Sequence, residues 1–449
     1  MSFKKIDATF CVLITLTCSC FFYKDNLLFS NPFLNLQIIQ WLQLSLILIL
    51  SAKSLPEPKL WLIIVCYISS RVILFQSGPV LEDDYYRYLW DGNLVSKGIN
   101  PYLYPPSDSF WINIPSKWRQ FINFPEIRTI YPPLTQFYFA FIYKLFGESV
   151  FGLRIGALII EILLSVSLTK FLKKENLNYK PLALFLFFPT LLKENVNSVH
   201  FDLLATLFLF MCFVNLKKMN TSILSTLTTW GALASAVLVK LFPLLLLPVV
   251  FFTAQRKALG LSFFILFIII FYLPFIDAGF QLFSGSHAFA QNWLFFESFP
   301  FYVQKFYEFI FQFFNFSDTA SLSIITDGLL TRLTLGISLF LIALWVGFSK
   351  KITLENKFVV LLLFLYTFST VVNSWYWLWI LPFLIFYGPR ISWALPVITT
   401  LGYSWFTDQK LYITLHQPAY GLITFFVIIY ILKNNYTGIN RWKKSGLTP

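Results

Sequence analysis

Apolar residues run along this chain in long blocks rather than at alternate positions. Blocks near the length of a spanning helix, about 20 residues or fewer where a bilayer thins, occupy roughly 8–23, 36–52, 60–77, 151–170, 181–193, 201–216, 222–239, 241–254, 258–276, 329–348, 358–372, 374–388, 391–406 and 414–432. Short basic groups punctuate them. With the N-terminus in the cytoplasm, 20 of the 34 Lys and Arg fall beside span ends on the cytoplasmic side, among them Lys4/Lys5, Lys173/Lys174, Lys217/Lys218, Arg256/Lys257 and Lys350/Lys351. That asymmetry is what orients spans, and it places both termini in the cytoplasm. The count closes when 131–147 lies in the plane of the membrane or half-inserted instead of crossing. Two stretches, 78–147 and 277–328, then become long outer loops, the second carrying the aromatic amphipathic stretch Phe299–Phe316, suited to an interface.

The pattern predicts an all-α polytopic membrane protein of about 11–14 transmembrane helices, one transmembrane domain over 1–449 with amphipathic helices in the first outer loop. Phe21-Phe22-Tyr23-Lys24 offers no small-residue cleavage site, so 8–23 reads as an uncleaved first span.

Composition sharpens this. Hydrophobic residues make up 57% of the 449 and charged residues 12%, half of the roughly 25% in soluble domains, which excludes a water-soluble enzyme and a disordered chain. The net charge of +13 is scattered between apolar blocks, not gathered on one face, so nucleic acid is not a partner. Cys11, Cys18, Cys20, Cys66 and Cys212 lie inside apolar blocks at no metal-binding spacing and read as buried free thiols.

The chemistry concentrates in Glu82-Asp83-Asp84-Tyr85-Tyr86-Arg87-Tyr88-Leu89-Trp90-Asp91-Gly92, just after the block ending near Ser77. Adjacent carboxylates repel one another and raise a pKa unless a cation offsets them. One of them could serve as general base for a sugar hydroxyl. Equally, Asp83 and Asp84 could simply cap a helix N-terminus, with Arg87 sharing the face of Asp84 three residues on.

Asp84-x-x-Arg87-Tyr88, Gly98-x-Asn100-Pro101-Tyr102, Ile130-Tyr131-Pro132-Pro133-Leu134, the Leu-Phe-Gly of 145–147 and Arg154 resemble, in order, the GT-C superfamily of membrane glycosyltransferases. The details are closest to bacterial polyprenyl-phosphomannose-dependent mannosyltransferases. Lys193-Glu194 through His200-x-Asp202 resembles that group's Gly-His-Asn-Asp segment, with Val199 in place of the Gly and Phe201 in place of the Asn. Val239-Lys240-Leu241-Phe242-Pro243, Asn292-Trp293-Leu294-Phe295 and Trp375-Tyr376-Trp377-Leu378-Trp379-Ile380-Leu381-Pro382 extend the likeness over about 60–390.

The resemblance implies a GT-C-like bundle in a bacterial cytoplasmic membrane, its active site facing outward. It implies inverting transfer of a hexose, mannose first, from a polyprenyl-phosphate carrier to an extracytoplasmic lipid, glycan or protein acceptor. Asp84 corresponds to the base, with Asp83 as competitor. Arg87, Asp91, Tyr131, Lys193, His200, Asp202 and Lys240 are the substrate-binding candidates, and Arg128 and Arg332 are further phosphate candidates. Asp83, Asp84 and Asp91 are the ligands for any Mg or Mn. For Trp375–Trp379, an interfacial belt is the first reading and sugar stacking the second. Other readings are a non-catalytic relative or oligosaccharide ligase of similar architecture, or a lipid or sugar transporter, for which Glu161 is the clearest mid-span charge.

Overall fold

The computed structural model describes residues 30–52, 57–218, 221–314, 320–411, 418–435 and 438–443. The block at 8–23, with Lys4, Lys5, Cys11, Cys18 and Cys20, lies outside them. The helices are α1 (Pro32–Leu50), α2 (Leu60–Gln76), α3 (Tyr85–Ser96), α4 (Pro133–Phe146), α5 (Val150–Lys174), α6 (Lys180–Leu186), a π-helical turn (Leu191–Asn197), α7 (Asp202–Lys218), α8 (Ile223–Val239), α9 (Leu247–Thr253), α10 (Lys257–Tyr272), α11 (Ser284–Asn292), α12 (Phe299–Phe313), α13 (Ala320–Phe348), α14 (Leu354–Phe368), α15 (Leu381–Tyr387), α16 (Ala394–Thr399) and α17 (Pro418–Asn434). The chain is an all-α polytopic membrane protein.

Not every apolar block is one straight helix. Among the described residues four helical stretches are long and apolar enough to cross a bilayer alone: Pro32–Leu50, Val150–Lys174, Lys257–Asn292 and Gly328–Phe348. The π turn and α7 form a fifth, bent by 116°. The blocks at 181–193, 241–254, 374–388 and 391–406, read as spans from hydropathy, are instead chains of short α-, π- and 3-10 segments. Prolines at 181, 189, 243, 248, 382, 389 and 396 explain this, because each removes a backbone donor and clashes with the preceding turn.

Where irregular backbone sits at membrane depth, it must be sheltered by protein. Every residue of α6 and α15 is indeed buried. By contrast only 17% of the Lys257–Asn292 window and 22% of the Gly328–Phe348 window are buried, leaving faces suited to lipid. The aromatic stretch forms α12, with Phe306, Phe309 and Phe313 exposed. The 14 residues of α4 rise about 21 Å, short of the roughly 30 Å hydrocarbon core of a bilayer.

Arg71 of α2 and Glu161 of α5 meet as an ion pair in the bundle interior. Arg71 also donates to the Leu186 carbonyl (2.7 Å), and Asn195 Nδ2 donates to Glu161 Oε2 (2.9 Å). The mid-span charge that suggested a transport pathway is therefore neutralised by a fixed partner. Cys212 is a buried free thiol. Cys66 is disulfide-bonded, which corrects the expectation of free thiols throughout.

The helix that carries the acidic segment packs hard against its neighbour. A Cβ on Gly92 of α3 would lie 2.6 Å from the Phe139 carbonyl oxygen of α4. Gly92→Ala is accordingly expected to push the two helices apart and cost about 1–3 kcal/mol by overpacking. Thermal unfolding of the detergent-solubilised protein checks this, and an unchanged melting temperature would show that the contact yields.

Candidate active site

The polar lead-in to α3 is held from behind. Arg154 of α5 donates to the carbonyls of Phe75, Ser77 and Asn197 at the end of α2 and in the π turn. Asn197 donates to Ser77 Oγ and the Gly78 carbonyl (both 2.8 Å) and accepts from the Val80 amide (2.9 Å). The backbone then turns through Leu81 at φ +51°, a left-handed conformation costly for a side chain of this size, and delivers Glu82, Asp83 and Asp84.

Asp84 begins α3 yet its side chain caps no helical N–H. The cap reading of the acidic pair therefore fails. Glu82 Oε1 accepts from the amides of Asp83 (3.0 Å) and Asp84 (2.9 Å) instead, so both aspartate side chains are released toward a cavity. There Asn123 Nδ2 donates to Asp83 Oδ1 at 2.8 Å and to Asp84 Oδ1 at 2.9 Å.

The cavity measures about 390 Å³, within the range of small-ligand sites. Glu82, Asp83 and Asp84 line one side; Arg87, Arg128 and Lys240 bring positive charge to the same space. Tyr131, Trp293, Trp375, Tyr376, Trp405 and Phe406 supply aromatic walls, and Asn373, Ser374 and Tyr403 polar ones. A short parallel pairing of Phe295 with Val371 ties the stretch after α11 to the lead-in of the 375–379 run.

Burial pushes the carboxyls of all three acids above the usual carboxylate range. Asp83 reaches about 7, through burial first and then the charges of Asp84 and Glu82. For Asp84 the charge of Glu82 follows burial as a cause. Carboxylate oxygens of Glu82, Asp83 and Asp84 come within 4.8 Å of one another, an all-oxygen donor set of the kind that suits a hard divalent cation.

The structure sorts the sequence candidates. Asp83, Asp84, Arg87, Tyr131 and Lys240 line the cavity, as does Arg128. Asp91 does not: it is buried at 1% exposure, and its oxygens are taken by Arg87 Nε (3.1 Å), Thr129 Oγ1 (2.5 Å) and Gln136 Nε2 (3.1 Å). It orients Arg87 and belongs to neither acidic group that could hold a metal, which corrects its placement as substrate or metal ligand. Arg87 likewise pairs with Asp91, four residues on, and not with Asp84.

Lys193 is fully buried, bonded to Ser198 Oγ (2.5 Å) and Tyr403 OH (3.2 Å) and paired with Glu194 (3.5 Å). It cannot contact a ligand directly and instead supports the Tyr403 and Ser374 hydroxyls, both of which donate to Glu194. Asp202 is buried too, receiving Lys240 Nζ (2.8 Å) and Trp379 Nε1 (2.6 Å). Lys240 thus sits between Asp202 and the cavity. His200 lies beneath the floor, stacked on Trp375 at 4.0 Å. Trp377 and Trp379 are buried packing residues, neither belt nor cavity wall. Arg332 donates to the Ala290 and Trp293 carbonyls and Thr370, outside the cavity.

Asn123 and the Ser374–Tyr403 pair had no signal in the sequence. Asn123 stands in a loop of prolines and aromatics, and Tyr403 reaches Lys193 across 210 positions. The Gly of the resembling segment does find an explanation, since Val199, which replaces it, holds φ +60°.

Residues 34–256 match the family model described as alpha-(1->6)-mannopyranosyltransferase, N-terminal domain. No curated protein and no solved structure matches the chain. The match spans α1 to α9 and so contains the acidic lead-in, Lys193, His200, Asp202 and Lys240. Just under half of the chain thus matches that family's N-terminal domain, and the chain is a membrane mannosyltransferase.

Proposed function

We propose that the protein transfers mannose from a polyprenyl-phosphate carrier to an extracytoplasmic acceptor with inversion at the sugar carbon. The observation that carries this is the sharing of one cavity by the acidic trio and by Arg87, Arg128 and Lys240. Inverting transfer from a phosphate leaving group needs a base on the acceptor side and cations on the phosphate side. Asp84, or Asp83 beside it, removes the acceptor's hydroxyl proton. The acceptor oxygen forms a bond to mannose C1 as the C1–O bond to phosphate breaks, and the electron pair leaves on the phosphate. Lys240, Arg128 and Arg87 stabilise the charge that develops there. Glu82, Asp83 and Asp84 would hold a divalent cation, Mg or Mn; that ion would relieve the repulsion among them.

Membranes containing the protein are expected to transfer labelled mannose from polyprenyl-phosphate mannose to endogenous acceptors. Transfer falls as pH drops through about 7, where Asp83 takes up its proton, the trio titrating as a coupled unit. The stability contribution has the opposite sign. A carboxyl whose pKa rises on folding favours the folded state below its unfolded value and loses that contribution as pH climbs from about 4 toward 7. Transfer from a nucleotide-linked mannose instead would overturn the donor assignment.

A further inference from the structure

We infer that Glu82 and His200 form a positioning couple that aims the acidic pair, and that His200 acts on the reaction through Glu82 without touching substrate. This rests on the mannosyl-transfer reading above.

The geometry is continuous. Tyr88 OH lies 2.9 Å from His200 Nδ1, and His200 Nε2 lies 2.9 Å from Glu82 Oε2. The other Glu82 oxygen holds the amides of Asp83 and Asp84. The Nε2–H tautomer of the neutral ring satisfies both contacts, donating to the Glu82 carboxylate and accepting from Tyr88 OH at Nδ1. His200 is 0% exposed, pinned below by the Glu194 carbonyl on its own amide (2.9 Å) and above by the ring of Trp375. Tyr88 in turn stacks on Phe139 at 4.9 Å, which couples the device to the α3–α4 packing.

Glu82 therefore spends one oxygen on a buried anchor and the other on the backbone that carries the base. A carboxylate that swung free would leave two amides without acceptors, and the aspartates would lose their aim. Small misplacements of a reacting group cost rate far more than binding. A residue that gripped the donor would behave differently, since its loss would weaken donor binding.

The test compares His200→Gln, Glu82→Gln and the double variant, as full-length protein in detergent or in membranes. Donor binding is followed with polyprenyl-phosphate mannose, transfer with endogenous acceptors, and backbone hydrogen exchange over 82–90. Expected is a fall in kcat of about 10–100-fold with KM for donor within twofold. The double variant is no slower than the worse single one, because the couple acts as a unit. Amide exchange at 83 and 84 speeds up in His200→Gln, a change that requires no acceptor or activity.

A rise in donor KM at unchanged kcat, additive losses, or unaltered exchange would each overturn the couple. Absence of transfer by the unsubstituted protein would instead sink the donor reading. Exchange at 83 and 84 would then still decide whether His200 positions the loop. If His200→Gln fails to fold, His200→Asn and Glu82→Gln carry the same comparison.

Discussion

Asp84→Asn is expected to lower mannosyl transfer by about 10²–10⁴-fold, the span that general-base catalysis contributes, with membrane insertion and thermal stability maintained. Asparagine preserves the shape of the side chain and can still meet Asn123 through its own oxygen, but it cannot take a proton. It also removes one of three crowded negative charges, so the folded state loses nothing electrostatically. Asp83→Asn is the matched control. The two aspartates share one amide donor, Asn123 Nδ2, so contact with Asn123 alone does not separate them. Loss confined to Asp83→Asn would move the base to Asp83. Full transfer by both single variants would remove the base from this loop altogether.

How much of this was readable from the chain depends on distance along it. The membrane class follows from block hydropathy, and the acidic cluster stands out because four of the chain's 21 acidic residues fall within positions 82–91. What the acids do was less legible. Asp84 looked like a helix cap because it occupies the cap position, and only the Glu82 side chain, folding back onto the next two amides, shows why it is not one. Asp91 looked like a second functional acid; its partners Thr129 and Gln136 lie 38 and 45 positions away. Lys193 and Asp202 were substrate-binding candidates through the resemblance, and in the fold both charges meet partners within the chain. The partners were protein groups, Glu194 and Tyr403 for one, Lys240 and Trp379 for the other. Hydropathy also mistook short proline-broken segments for spans, because a window average registers apolar content and not the missing donors.

The largest stability effect should come from the Arg71–Glu161 pair. Arg71→Met alone strands Glu161 in the bundle interior and leaves the Leu186 carbonyl without its donor, and removing one partner of a buried pair costs about 3–5 kcal/mol. Arg71→Met combined with Glu161→Leu removes both charges at similar volume, and much of the loss is expected to return, since apolar replacements of whole buried pairs are often neutral or better. Recovery should be incomplete, because the Leu186 carbonyl and Asn195 lose their donor and acceptor. Thermal unfolding of the solubilised variants measures this. Equal destabilisation by the single and double variants would show that the two side chains are not one energetic unit. The double variant also weighs the transport reading against the transferase: a transport pathway that used Glu161 would fail with it, whereas a transferase whose chemistry sits in the cavity beyond α3 keeps its activity once the fold is restored.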